Sequence, residues 1–376
     1  MKVKLLPLAI GAAIAMPGVA MAAPTVYGKM NVTYENSDLD VSVDADGVEG
    51  SDSADTWELN SNASRLGVKG SEDISDNLSA FYKAEYEIMV DDGDKGGDTF
   101  SQRDIYVGLK GGWGAVQLGN YDTPFKKTQG KVDQFNDMSA GDIKNVLVGE
   151  NRESDLIQYT SPAIANAFTV AVAVQAGEEY CPDGSAGDCQ DGPAENFSVA
   201  LVYDDDTFYA ALGQDDGIDG YDATRLVGMM KMDAFEFGAI YQTAEESEGD
   251  DPAEQDGYIL SAAMNIDSKN KIRFQYGYSE LEDDAAGIDS IASYLSDDVD
   301  ISAVDVAFAG ELDAEVTQIA LGYDHKLSKQ TKLFANYIML ETEFEMVGEF
   351  DTPPVQAEAK ADVENTRIQF GVEHKF

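Results

Sequence analysis

Leu78-Ser79-Ala80-Phe81-Tyr82-Lys83-Ala84-Glu85-Tyr86-Glu87-Ile88 changes character at every residue. In an extended chain Leu78, Ala80, Tyr82, Ala84, Tyr86 and Ile88 share one face, and Ser79, Phe81, Lys83, Glu85 and Glu87 share the other. Period two is the mark of a half-buried strand. A soluble sandwich alternates too, but it has no need for an apolar face that ends in tyrosine again and again. Aromatic residues at strand ends fit the interfacial girdles of an outer-membrane barrel. Val26 to Glu35 repeats the pattern, with Tyr27, Lys29, Asn31, Thr33 and Glu35 opposite Val26, Gly28, Met30, Val32 and Tyr34. The last stretch is the cleanest: Ile368, Phe370, Val372, His374 and Phe376 point one way, Arg367, Gln369, Gly371, Glu373 and Lys375 the other. His374 thus reads as an interfacial residue and not as a ligand.

Working outward, sixteen segments follow this period: 25–35, 57–70, 78–90, 100–110, 115–121, 153–161, 167–175, 196–203, 207–214, 222–231, 234–243, 256–265, 270–279, 315–326, 331–341 and 365–376. The connections alternate in length. One set is short (71–77, 111–114, 161–166, 204–206, 232–233, 266–269, 327–330), and the other is long and acidic (36–56, 91–99, 122–152, 176–195, 215–221, 244–255, 280–314, 342–364). Short periplasmic turns and long outer loops are the anatomy of an outer-membrane barrel. An even strand number leaves no unpaired edge, which hydrocarbon would penalise. Sixteen strands enclose an aqueous channel. The expected fold is all-β: a transmembrane antiparallel β-barrel of sixteen strands, or eighteen if residues 280–314 hide a further pair around Asp300–Phe308.

Composition bounds the function. Lys2 and Lys4, the apolar run Leu5 to Val19 and Ala20-Met21-Ala22 read as a signal peptide over residues 1–22, leaving 23–376 as the barrel. No later stretch approaches 18 apolar residues in a row, which excludes helical spans. The formal charge is −46. That excess excludes a generic nucleic-acid binder, since phosphate contacts need Lys and Arg. The acids are segregated: residues 280–314 hold eleven Asp or Glu and no Lys or Arg, as expected of a solvated outer surface. Divalent cations could gather there, but Asp44-Ala45-Asp46-Gly47 lacks the spacing of a calcium loop, and no cofactor is expected. Cys181 and Cys189 lie in one Gly, Pro and Asp-rich connection; export permits a disulfide, and two free thiols are the alternative. An enzyme is disfavoured, because no G-x-S-x-G segment is present and His325 and His374 are the only histidines.

The connection Tyr121 to Arg152 stands apart. About thirty residues between two strands is too long for a hairpin turn, and loops of that length are usually functional. It carries Asp133, Asp137, Asp142 and Glu150 and ends at Arg152. The expectation is that it folds inward and narrows the bore.

The chain resembles the general trimeric porins of Gram-negative outer membranes. The likeness rests on Val26-Tyr27-Gly28-Lys29, on Ser64-Arg65-Leu66-Gly67-Val68-Lys69-Gly70-Ser71-Glu72-Asp73, on Tyr106-Val107-Gly108-Leu109, and on Ala320-Leu321-Gly322-Tyr323 followed by Leu327-Ser328-Lys329-Gln330-Thr331. It covers the whole chain after residue 22. The resemblance implies a homotrimer in the outer membrane among lipid and lipopolysaccharide, with a third loop folded into each pore. Phe376 resembles the signal read by the barrel-assembly machinery. The family's basic wall ladder matches Lys29, Arg65, Arg103 and Arg152. For the facing loop acids no motif aligns, and Asp133, Asp137 and Asp142 are nominated by position.

Parity supports part of this. Arg65 shares a face with Gly67 and Lys69, so it points inward; Lys83 and Arg273 also fall on polar faces. Arg103 conflicts with its neighbours, since Ile105 and Val107 share its face while Asp104 shares that of Tyr106. A bulge, or a position outside the bilayer, would resolve it. Facing charges across a wet constriction set ion selectivity. The expected function is passive diffusion of ions and small hydrophilic solutes, with a cation preference from the excess of acids. The alternatives are a substrate-selective channel or a non-conducting adhesin. Phe125 and Phe135 in the loop read as packing anchors and not as a solute track.

Overall fold

The structure is a computed structural model that describes residues 23–45, 48–91, 99–177, 192–247, 252–287, 308–351 and 354–376. One antiparallel sheet contains β1 (Thr25–Ala45), β2 (Val48–Ser61), β3 (Arg65–Ser75), β4 (Leu78–Ile88), β5 (Phe100–Gly111) and β6 (Gly114–Asp122). It continues through β7 (Arg152–Thr160), β8 (Phe168–Gln175), β9 (Asn196–Asp204), β10 (Phe208–Ile218), β11 (Tyr221–Met232) and β12 (Phe235–Glu246). It ends with β13 (Glu254–Asn265), β14 (Asn270–Gly287), β15 (Phe308–Lys326), β16 (Thr331–Asp351) and β17 (Pro354–Lys375). β17 pairs with β1 from Lys29↔Lys375 to Ala45↔Ala359, so the sheet closes on itself.

The barrel has sixteen staves, as alternation predicts, because β2 and β3 are two halves of one. Asn62-Ala63-Ser64 interrupts that stave, with Ala63 held at φ 46. A non-glycine residue there is strained. Asn31 stitches the break: its N–H donates to Ser64 Oγ at 2.9 Å, and its carbonyl accepts from Asn62 N at 2.8 Å. The interruption delivers Arg65 into the bore, where its Nε donates to Ala63 O at 3.1 Å.

Large apolar side chains such as Leu212, Leu226, Leu260, Phe274, Leu321 and Phe370 stand exposed on the outer face, as lipid contact requires. Tyr241, Tyr258 and Tyr278 sit side by side across β12, β13 and β14 and form an outer girdle. At the short-turn end Trp113 stacks near Tyr159, and Phe168 lies 5.0 Å from Tyr203.

Beyond the outer girdle the structure departs from the sequence expectation. Segments read as the loops 36–56 and 342–364 are largely strand, and so are the described ends of 280–314: β1 runs on to Ala45, β14 to Gly287 and β16 to Asp351, and β15 starts at Phe308. The alternation persists there with inverted sense. Glu280, Glu315 and Glu343 sit laterally opposite one another on the outer face. Leu281, Leu312, Ala314, Phe344 and Val363 pack together on the inner one. A strand that has left the bilayer gains by turning its acids to water and its apolar side chains inward. The proposed extra pair, and Cys181 and Cys189, lie outside the described residues, as does the signal segment 1–22.

Carboxylates directly opposite on neighbouring strands repel. Replacing Glu280, Glu315 and Glu343 together by Gln should raise the thermal unfolding midpoint in low salt. The gain should vanish near 1 M salt, where screening acts within about 3 Å. A midpoint unchanged at every ionic strength would mean these rows carry no repulsion.

Candidate pore constriction

After β6 the chain leaves the wall and crosses the bore. The side chain of Thr123 accepts from Lys126 N at 3.1 Å and caps the short helix α1 (Pro124–Lys127), whose first turn Pro124 suits. The loop then lies against the far wall. Val132, Phe135, Met138, Ile143, Val146 and Leu147 are buried against Val227, Ile240, Ile259, Val316, Phe334 and Ile338. Burying such side chains stabilises by about 1.5–3 kcal/mol each. Wall glycines make the bay they occupy. A Cβ at Gly257 would lie 2.6 Å from Leu147, and one at Gly322 would lie 3.0 Å from Phe135.

Polar wall residues take up the loop backbone. Gln275 Oε1 accepts from Gln134 N at 2.9 Å, and Gln318 Nε2 donates to Ala140 O at 2.8 Å. Gln255 Oε1 accepts from Val148 N at 3.0 Å, and Gln242 Nε2 donates to Val148 O at 2.9 Å. Arg273 donates to Gln134 O and stacks over Phe135. Phe125 and Phe135 are fully buried and serve as anchors, as their reading in the sequence had it. A buried backbone needs such partners, and they hold the loop in one place.

Opposite this bay stand Lys29 on β1, Arg65 on β3, Lys83 on β4, Arg103 on β5 and Arg152 on β7. The loop reaches them through one residue. Asp137, at φ 65, accepts from Lys29 Nζ at 2.5 Å and from Arg65, and lies 3.9 Å from Arg103. Asp tolerates this left-handed backbone better than most residues. Burial alone would raise the pKa of its carboxyl, but Lys29 and Arg65 overcome this and hold it below the ordinary range. Asp133 and Asp142 turn back into the loop. Asp133 accepts from Phe135 N at 2.9 Å, and Asp142 accepts from Asp137 N at 2.9 Å and Lys144 N at 3.0 Å. Burial and the neighbouring Asp142 push the Asp133 carboxyl well up.

The conflict at Arg103 resolves as a bulge. Ala84 pairs with Ile105 and Tyr86 with Gln102, so Arg103 and Asp104 together oppose Glu85 and both reach inward. Arg103 Nη1 meets Glu87 at 2.5 Å; Asp104 holds Lys83 at 2.7 Å and Arg152 at 3.1 Å. Arg152 also meets Asp122 at 2.6 Å. The space between loop tip and basic wall is about 500 Å³ and is lined by Arg65, Glu87, Arg103, Asp137, Lys144 and Arg152, among others. The sequence reading did not name Glu85, Glu87, Asp104 or Asp122 as part of this site. Glu85 and Glu87 share the face of Lys83, and that parity was the available signal.

A closed barrel with a loop pinned across its bore is a passage, and its sequence has relatives. A family model described as Gram-negative porin matches residues 9–344. The chain belongs to the Gram-negative porin family. Outer membrane porin protein 32 of Delftia acidovorans is 26% identical over 402 aligned residues that cover 100% of both chains. A monosaccharide porin of Halomonas is 26% identical over 313 residues, 75% of this chain and 78% of its own. Among solved structures, an anion-selective porin from Comamonas acidovorans superposes with TM-score 0.62 at 22% identity, covering 94% of this chain and 99% of that one. This porin is an outer-membrane channel protein and not an enzyme.

Proposed function

We propose that this porin is a general diffusion channel for small hydrophilic solutes, assembled as a homotrimer, and that its lumen favours anions. One observation carries the sign: the strand extensions turn their acids to the outer face, whereas the acids at the constriction, Glu85, Glu87, Asp104, Asp122 and Asp137, are each paired with a basic side chain. Lys29, Lys69, Arg103, Lys110, Arg152 and Lys332 alternate onto the inner face, whereas Glu280, Glu282, Asp313, Glu315, Glu343 and Asp362 alternate onto the outer one. The net charge suggested a cation preference. The outer rows, however, lie behind the barrel wall, and exposed charges are screened within about 8 Å at physiological salt. A passing ion responds to the inner face. The anion-selective fold neighbour and the trimeric form of a Vibrio cholerae neighbour agree with this reading.

The test is the reversal potential in a planar bilayer across a tenfold potassium chloride gradient. The expected sign is that of chloride permeating faster, with closure in three steps. A cation-signed potential would overturn the anion preference, and single-step closure would overturn the trimer.

A further inference from the structure

We propose that the lumen strip of Phe81, Tyr106 and Tyr121, with Lys110 and Lys127 at its two ends, is a binding track for small aromatic carboxylates beneath the constriction. The rings form a continuous edge-to-face series: Phe81 lies 6.0 Å from Tyr106, and Tyr106 lies 5.7 Å from Tyr121. Lys110 stands 5.8 Å over Phe81, and Lys127 stands 5.0 Å over Tyr121. Phe81 lies across its neighbour strand, since a Cβ at Gly108 would come within 2.5 Å of its Cζ. Tyr121 is buried and backs the strip; Phe81 and Tyr106 are half-buried, and both lysines are exposed.

The lysines distinguish this strip from the constriction above it. Lys83, Arg103 and Arg152 are each held by carboxylates. Lys110 and Lys127 form no ion pair within 4 Å among the described residues, though Asp122 and Asp104 stand near enough to attract Lys127, and each rests on a ring. An ammonium in that setting is open to an incoming anion, and the rings beside it offer a flat surface for offset stacking. A solute that carries both a carboxylate and a ring satisfies both; chloride or acetate satisfies the charge alone. Lys110 directly precedes the Gly111–Gly114 turn, so the track lies on the short-turn side of the loop. The inference deepens the diffusion reading and rests on an open lumen.

The experiment titrates benzoate into single-channel recordings in potassium chloride, from either chamber, with acetate as the charge-only control. The expected result is saturable block by benzoate, stronger from the short-turn side, with acetate at least tenfold weaker. In the Lys110→Gln/Lys127→Gln double variant the half-blocking concentration should rise about tenfold while the open barrel still conducts. Phe81→Leu should weaken benzoate block and leave acetate unchanged. Linear, unblocked current, equal block by acetate, or an unchanged double variant would overturn the track. Titration calorimetry with benzoate on the detergent-solubilised full chain reads binding without current. Heat binding-curves without conductance would sink the open-lumen reading and keep the track; conductance without benzoate heat would do the reverse.

Discussion

Asp137→Asn is expected to shift this porin's chloride-to-potassium permeability ratio toward chloride by about tenfold. Asp137 is the loop carboxylate that faces Lys29, Arg65 and Arg103. Its removal takes one carboxylate away from all three bases and leaves Glu85 and Glu87 beside the two arginines. In water a unit charge about 6 Å from a passing ion is worth about 0.7 kcal/mol. That energy enters twice, lowering the barrier for the anion and raising it for the cation, so the ratio moves by about two such factors. The pH dependence follows from the depressed carboxyl. A group whose folded pKa is lowered keeps its contribution above the unfolded value, and loses it as pH falls through the folded one. Wild-type selectivity should therefore hold through pH 5 and drift toward that of the Asn variant only below about pH 4, the unperturbed Asp range. The variant itself should show no such drift. Reversal potentials at a series of pH values check both parts. A ratio that the substitution leaves untouched would remove Asp137 from the permeation path.

How far the site could be read in advance depended on what each residue answers to. Alternation answers to a buried face, so the sixteen staves and the inward aim of Arg65 were legible. The extensions were missed for a physical reason. Glu280-Leu281-Glu282 and Glu341-Thr342-Glu343-Phe344 keep period two, but a charge-rich strand beyond the bilayer carries the composition of a loop. Arg103 was ambiguous because a bulge is a local register choice made by its partner strand. The three loop aspartates look alike in sequence. What separates Asp137 from Asp133 and Asp142 is backbone geometry: the turns at Phe135, Asp137 and Lys144 leave N–H groups that Asp133 and Asp142 satisfy. Gln242, Gln255, Gln275 and Gln318 gave no warning, since polar residues on an inward face are the norm in a barrel. Arg225 gave a faint one, an arginine set among Ala223, Val227 and Met229 on one face.

That arginine carries the other large effect. Arg225 is fully buried; its Nε donates to Gln242 at 2.7 Å, its Nη1 to Glu150 at 2.6 Å, and its plane lies 4.4 Å over Phe125. It ties both ends of the crossing loop to β11. Arg225→Met should destabilise the folded barrel by about 3–5 kcal/mol, because it strands a buried carboxylate. Burial already raises the pKa of Glu150, and Arg225 is the first charge that pulls it back. Without the arginine the carboxyl rises further. A carboxyl whose folded pKa exceeds its unfolded value costs stability as pH climbs from the unfolded value through the folded one. The variant should therefore be weakest near neutral pH and recover in mild acid, the reverse of the trend expected when an exposed ion pair is lost. Arg225→Met/Glu150→Gln should recover most of the loss at pH 7, since replacing both partners of a buried pair is often close to neutral. Thermal unfolding of the detergent-solubilised protein across pH 5–8 reads the stability, and current noise reads the loop. Equal losses in single and double variants would place the cost in packing on Phe125 and not in the stranded charge; a quiet channel in the single variant would mean that the glutamines hold the loop without Arg225.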